Sequence, residues 1–299
     1  MTEASTDSQE DAKPKWTRRR VLKAAALGVL GAGAGAATYA NRIEPHWIEV
    51  VRRAMPIRNL PDHLIGKTLI QISDLHVGPV VDDDYMRSAL EQVSELKPDI
   101  LAITGDFMTY RSPADLDKTI SHLRDFDGGL MATLAIPGNH DFGHMFADVG
   151  LCDRLAEQLS TVGIQLLRNE SAIVSGLRFL GVNDLWGPHF DVEQALDDYR
   201  EDEATVALCH NPDAADREGW NGYRGWILSG HTHGGQCRLP FLRPPLLPVA
   251  NRRYVAGEVA LNDGRRLYIN RGLGYLRRIR FNVRPEITVF TLQRETVAA

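Results

Sequence analysis

From Asn41 onward, short aliphatic runs alternate with amphipathic stretches, with no internal repeat and no long polar linker. That pattern predicts one domain over residues 41–299. Runs rich in Ile, Leu and Val predict strands at 68–73, 100–104, 131–136, 177–182, 205–209, 226–229, 267–270 and 287–292. Between the first two, Met86, Ala89, Leu90, Val93 and Leu96 recur at helical spacing behind the acidic Asp82 to Asp84 and ahead of Pro98. These are the marks of a capped amphipathic helix. Similar stripes predict helices over 113–126 and 148–162. Strands that alternate with helices early and dominate late predict an α/β sandwich of two mixed sheets flanked by helices.

The N-terminal segment breaks this rhythm. Residues 1–15 are polar and charged without apolar periodicity, the composition of a disordered tail. Within 16–40, Thr17-Arg18-Arg19-Arg20-Val21-Leu22-Lys23 precedes a weakly apolar run built mostly of Ala and Gly. This resembles a twin-arginine export signal, Ser/Thr-Arg-Arg-x-Phe-Leu-Lys, with Val21 in the place of Phe. The resemblance implies that the folded protein is handed to the twin-arginine machinery and reaches the cell envelope or periplasm. The run also approaches the roughly 20 residues that span a bilayer, so an uncleaved anchor in the cytoplasmic membrane is the alternative.

Composition narrows the function classes. At 299 residues, 43% hydrophobic and 24% charged, the chain is that of a folded globular protein. A net charge of -5 opposes a protein that coats nucleic acid, and no specific nucleic-acid partner is predicted. Cys152, Cys209 and Cys237 form neither a disulfide framework nor a CxxC motif. Cys209 and Cys237 flank the histidine motifs and could approach each other, but folding in a reducing compartment favours free thiols.

The polar residues that interrupt the apolar runs fall just beyond strands, where α/β folds place ligands. In order they are Ser73-Asp74-Leu75-His76, Gly105-Asp106, Gly138-Asn139-His140-Asp141, His210-Asn211 and Gly230-His231-Thr232-His233-Gly234-Gly235. Asp, Asn and His are oxygen and nitrogen donors suited to Mn, Fe or Zn. Seven such donors exceed the four of a structural zinc site, and a shared carboxylate can bridge two ions about 3.5–4 Å apart. The flanking glycines permit the sharp positive-φ turns that bring a side chain to an ion and then reverse the chain.

These five ordered blocks resemble the calcineurin-like metallophosphoesterase superfamily. The surrounding residues, among them His210-Asn211-Pro212-Asp213 and Asn270-Arg271-Gly272-Leu273-Gly274, resemble its exported bacterial branch typified by the YkuE and YaeI phosphodiesterases. The resemblance covers nearly all of 65–292 and implies an α/β/β/α sandwich and a phosphoric ester hydrolase with two divalent metal ions. It implies that Asp74, His76, Asp106 and His233 hold one ion, and Asp106, Asn139, His210 and His231 the other, with Asp106 as the bridge. It further implies that a hydroxide between the ions attacks phosphorus, that His140 stabilises the transition state or protonates the leaving oxygen, and that Asp141 orients His140.

Two positions depart from the family pattern: Thr109 stands where Asp or Asn often follows Gly-Asp, and Asn183 where the branch commonly has Asp. Other residues carry weaker signals. His144 and His189 lie near the motifs and read best as exposed or capping histidines. Eleven arginines lie between Arg238 and Arg284 against Glu258 and Asp263. Arg271, in the Arg-Gly-Leu-Gly turn, is a candidate phosphate contact. The apolar, proline-stiffened stretch 240–249 among them suits either an anionic bilayer or a lipid-linked substrate, and equally a packed core segment. The substrate expectation is therefore a phosphodiester or pyrophosphate, either a lipid-linked nucleotide such as UDP-2,3-diacylglucosamine, as for a lipid A pathway pyrophosphatase, or an envelope phosphodiester. A non-catalytic metal-binding scaffold is the contrasting class.

Overall fold

The computed structural model describes residues 17–296, so the tail expected over 1–15 lies outside the described residues. The chain divides into two compact units between Tyr39 and Ala40. The first is carried by helix α1 (Arg18–Thr38), N-capped by the Thr17 hydroxyl, with none of its side chains buried. The helical run Arg18–His46 is long and apolar enough to cross a membrane by length and composition.

The second unit is built on two six-stranded sheets. The first has the order β1 (Glu49–Ile57), β12 (Glu286–Arg294), β2 (Thr68–Ile72), β3 (Ile100–Thr104), β4 (Ala132–Ile136), β5 (Ile164–Leu166). Strands β2 to β5 run parallel, and β12 is antiparallel to β2. The second sheet has the order β10 (Gly257–Ala260), β11 (Arg266–Ile269), β9 (Trp226–Ser229), β8 (Ala204–Leu208), β7 (Leu177–Gly181), β6 (Glu170–Val174). Its four central strands are parallel and its two edges antiparallel.

The parallel strands of the first sheet are joined by three helices that cover its outer face. In α2 (Asp83–Glu95), the Asp82 carboxylate caps the Tyr85 amide, Met86, Ala89, Leu90 and Val93 face inward, and Lys97 turns left-handed ahead of Pro98. A residue before proline avoids the helical region, which ends the element there. In α3 (Pro113–Arg124), a Ser112–Asp115 capping box opens the helix, and α4 (Val149–Thr161) starts from the Asp148 cap.

Alternate residues of each strand serve different layers. Leu69, Ile100, Leu134 and Ile136 point at Phe179, Val206, Leu208 and Leu228 of the opposing sheet, while Ile70, Leu101 and Ile103 pack under the helices. The outer face of the second sheet is flanked by shorter helical segments than the first. The one-turn helix α5 (Val192–Ala195), the 3-10 turn Pro212–Asp216 and the side chains of Trp220, Tyr223, Val249 and Tyr254 pack on it.

Strands β1, β5, β6 and β10 have no counterpart in the sequence expectation, and they are the four sheet edges. An edge strand is paired on one side and partly exposed, so it does not read as an apolar run; β1 carries Arg52, Arg53 and Pro56. The central core is correspondingly sensitive. Phe290 is fully buried between the sheets, its ring 5.0 Å from Tyr268 and 5.9 Å from Trp226. Phe290→Ala is expected to destabilise the fold by about 3–5 kcal/mol, read as a lowered urea midpoint at unchanged slope.

Candidate metal centre

The C-terminal ends of β2, β3 and β4 in one sheet and of β8 and β9 in the other open onto one crevice, and each carries one of the five polar blocks. Asp74, His76, Asp106, Asn139, His210, His231 and His233 all converge there and are all buried. His76 Nε2 lies 3.0 Å from His233 Nε2, and His233 Nε2 lies 3.3 Å from Asp74 Oδ1. Asp106 Oδ2 stands between two imidazoles, 3.5 Å from His76 Nε2 and 3.2 Å from His210 Nε2. The ligand atoms of Asp74, His76 and His233 form one group, and those of Asp106, His210 and His231 another.

The partners outside the crevice define which lone pairs face it. The carbonyl of Thr104 accepts from His210 Nδ1 at 2.6 Å, and that of Pro248 accepts from His231 Nε2 at 2.9 Å. A carbonyl can only accept, so in the neutral imidazoles that a metal ion requires, His210 Nε2 and His231 Nδ1 are the acceptors. His210 Nε2 and Asn139 Oδ1 are buried polar atoms with no hydrogen-bond partner. Orphaned acceptors gathered beside two carboxylates are costly without a cation. The donor set fits divalent metal ions: Asp74, His76, His233 and Asp106 could hold one, and Asp106, Asn139, His210 and His231 a second.

Electrostatics divide these groups: burial acts to lower His210, but the Asp106 and Asp74 carboxylates outweigh it and hold the imidazole well above its ordinary value, whereas the other three imidazoles are held neutral. Burial holds His76 and His231 down at about 3 and His233 well below its ordinary value. Burial pushes the Asp74 carboxyl up to about 6. For Asp106 burial acts upward too, but His210 and His140 outweigh it and hold the carboxyl well below the usual range.

The backbone is strained where the ligands are delivered. Asp74, His76, Asp106, His231 and His233 all have positive φ, between 48° and 69°. Each such non-glycine residue costs on the order of 1–2 kcal/mol. The expectation that glycines make the sharp turns is thus only partly met, since the ligands themselves adopt the left-handed conformation. Gly138 and Gly230 are needed for close approach instead. A Cβ on Gly138 would lie 2.2 Å from Asp106 Oδ1, and one on Gly230 would lie 2.4 Å from Asp74 Oδ2.

His140 is half-buried, its amide donates to Asp106 Oδ1 at 2.8 Å, and its ring lies 5.0 Å from that of His76. Asp141, expected to orient His140, is engaged elsewhere. Its carboxylate accepts the amides of Asp106 (2.9 Å), Phe107 (2.9 Å) and Gly138 (2.8 Å), which ties the β3 and β4 loops together. Burial, and next to it the charge of Asp106, push the Asp141 carboxyl up to about 8, against the pull of those amides.

Arg271 is not available as a phosphate contact. Its guanidinium is paired with Glu286 and, at 2.9 Å, with Glu49. Several other arginines of the basic third are likewise occupied: Arg265 pairs with Asp263, and Arg284 lies over the Trp47 ring. Cys209 and Cys237 are unpaired, and His144 and His189 are exposed.

Arg280 is a positioning residue that its sequence context did not reveal. Its fully buried guanidinium donates to the carbonyls of Arg271, Gly272 and Gly274 at 2.8–3.0 Å. The turn so held packs on Asp74, with the Gly274 amide donating to the Asp74 carbonyl at 2.7 Å. One arginine among eleven carries no local signal of such a role; only the loop geometry distinguishes it.

The fold and the crevice define a metal-dependent phosphoester hydrolase. The model of the calcineurin-like phosphoesterase family matches residues 67–235, and the chain belongs to that family. It is similar to the metallophosphoesterase YkuE of Bacillus subtilis, with 32% identity over 93% of this chain and 98% of YkuE. It is similar to the phosphodiesterase YaeI of Escherichia coli, with 30% identity over 92% and 99%. It is also similar to the UDP-2,3-diacylglucosamine pyrophosphatase LpxG of Chlamydia trachomatis, with 29% identity over 83% of this chain and 90% of LpxG. The family is dimetal-dependent.

One of the two positions that depart from the family pattern is filled by a different hydrogen-bonding group. Thr109 Oγ1 lies 3.1 Å from His76 Nδ1, where it fixes the ring that turns Nε2 into the crevice. Thr109→Val keeps the shape and removes the hydroxyl. It is expected to weaken Mn²⁺ or Zn²⁺ affinity about 10–100-fold in a competitive chelator titration, with Thr109→Asn recovering part of the loss.

Proposed function

We propose that this protein hydrolyses a phosphodiester or pyrophosphate bond in the cell envelope. The observation that carries the reading is the placement of Asp106 Oδ2 between His76 and His210, with a second group of donors on either side. Two divalent ions, when bound, would neutralise charge on the phosphoryl oxygens and acidify water for attack at phosphorus. Asp74, His76 and His233 with Asp106 hold one ion; Asn139, His210 and His231 with Asp106 hold the other. His140 sits beside Asp106 with its ring toward the crevice, placed to give a proton to the leaving oxygen. Asp141 acts as a positioning residue, keeping the Asp106 and Asn139 loops in register. Metal identity among Mn, Fe and Zn follows availability during folding, because the mixed His, Asp and Asn donors accept each of them.

Export by the twin-arginine route is supported by Arg18-Arg19-Arg20 at the start of the weakly apolar α1. The same helix left uncleaved would serve as a membrane anchor. Resistance of the full-length protein to alkaline carbonate extraction would identify an anchor, and release of a chain shortened at its N-terminus would identify a processed signal.

A lipid-linked substrate is the second reading, and the stretch after β9 favours it. Leu239, Phe241, Leu242 and Leu246 are all more than half exposed, close behind His233. Arg238, Arg243, Arg252 and Arg253 line a shallow cavity beside them. Apolar side chains among cations suit an acylated, anionic substrate or the anionic surface that carries it.

Metal analysis of the purified protein, with hydrolysis of bis-p-nitrophenyl phosphate, p-nitrophenyl phosphate and UDP-2,3-diacylglucosamine, tests the proposal. Two ions per chain and cleavage of a diester are expected. His140→Ala should lower kcat about 10²–10⁴-fold while both ions are retained. A protein that binds fewer than two ions after reconstitution, and turns over none of the three, is a scaffold and not a hydrolase.

A further inference from the structure

Beyond the metal ligands, the rim of the crevice carries an arc of rings that the hydrolytic machinery does not use. The Phe146 ring lies 5.2 Å from that of His140, and the Trp186 ring 4.5 Å from that of His231. The two are stacked on each other at 6.1 Å with 23° between their planes. They therefore bridge the mouth of the site from the candidate proton donor to the second ligand group. Trp186 is nevertheless 43% exposed. A large ring left open beside buried ligands is unlike a core aromatic, which would be covered.

The frame around these rings is rigid. The Trp186 amide donates to the buried Asp184 carboxylate at 2.8 Å, and the Gly187 amide to the Asp184 carbonyl at 3.1 Å. Asn183 closes the same loop: its amide donates to Asn169 Oδ1 and its side-chain Nδ2 to the His189 carbonyl. That donation accounts for the Asn where the related branch carries Asp, since a carboxylate cannot donate. A Cβ on Gly187 would come within 2.8 Å of the Phe142 ring, so the loop closes tightly onto the loop that carries Phe146. Met145 and Phe146 both have positive φ, at 66° and 56°, a conformation that surrounding structure must enforce.

We propose that Phe146 and Trp186 form a ring-stacking subsite that receives the flat aromatic or heteroaromatic group of the substrate, of the nucleobase type. The subsite rests on the hydrolase reading for its purpose. A fixed, partly open indole offers a π-face to any planar ring at little ordering cost, and it discriminates against substrates that bear only aliphatic groups. It selects for the group attached to phosphorus, while the metal ligands act on the phosphoryl centre itself.

Calorimetric binding of adenosine 5′-monophosphate and of glycerol 3-phosphate to the full-length, Mn²⁺-loaded protein tests the subsite without relying on turnover. The nucleotide is expected to bind about tenfold more tightly. Trp186→Ala should abolish that preference while glycerol 3-phosphate affinity and metal content stay unchanged, and Trp186→Phe should recover most of it. If Trp186→Ala does not fold, Phe146→Leu is read in the same way and should reduce the preference. Equal affinities in the wild type, or a preference that survives both substitutions, overturn the subsite and leave the hydrolase reading intact. A nucleotide preference lost in Trp186→Ala, in a protein that hydrolyses no phosphate ester, sustains the subsite and overturns the hydrolase reading.

Discussion

The Asp106 carboxylate is the constraint on which the rest of the site depends. One oxygen is fixed by the His140 amide and the other faces His76 and His210, so a single side chain ties together donors from both sheets. That arrangement requires the β3 end to meet the β4 loop at van der Waals distance, and Gly138 has no side chain to prevent it. Asp141 secures the meeting by drawing amides from both loops onto one carboxylate.

The energetic character of the crevice follows from gathering these groups away from water. Burial keeps the imidazoles of His76, His231 and His233 neutral, and the Thr104 and Pro248 carbonyls hold protons on the outer nitrogens of His210 and His231. On the neutral rings lone pairs are thereby directed inward before any ion arrives, whereas at His210 the Asp106 and Asp74 carboxylates outweigh burial and hold the imidazole well above its ordinary value. Left-handed φ angles at five ligand residues show that the surrounding fold sustains local strain to achieve this. Two sheets with a continuous apolar interlayer supply the rigidity that such strain needs.

Departures from the family pattern turn out to be local substitutions of one hydrogen-bonding group for another. Thr109 meets His76 with a hydroxyl where a carboxylate or amide is common, and Asn183 donates a hydrogen bond that Asp could not. Neither alters the set of inward-facing donors. The first concerns the orientation of a ligand, and the second the loop that presents Trp186.

The layered α/β architecture, the central strands, the helices over the first sheet and the seven donor residues were all legible in the order of residues. Buried strands and amphipathic helices carry their periodicity locally, and ligand blocks follow strands at fixed short spacing. The edge strands were not legible, because one-sided pairing leaves no continuous apolar run. Nor were the roles of Asp141, Arg271 and Arg280. Each is a charged residue in an ordinary motif, and its function depends on which atoms surround it: three backbone amides for Asp141, Glu49 and Glu286 for Arg271, three carbonyls for Arg280. The same holds for Phe146 and Trp186, forty residues apart and unremarkable in sequence. Local chemistry determines which residues can be ligands; only the long-range packing of two sheets decides which charges pair, which rings meet, and what remains open to a substrate.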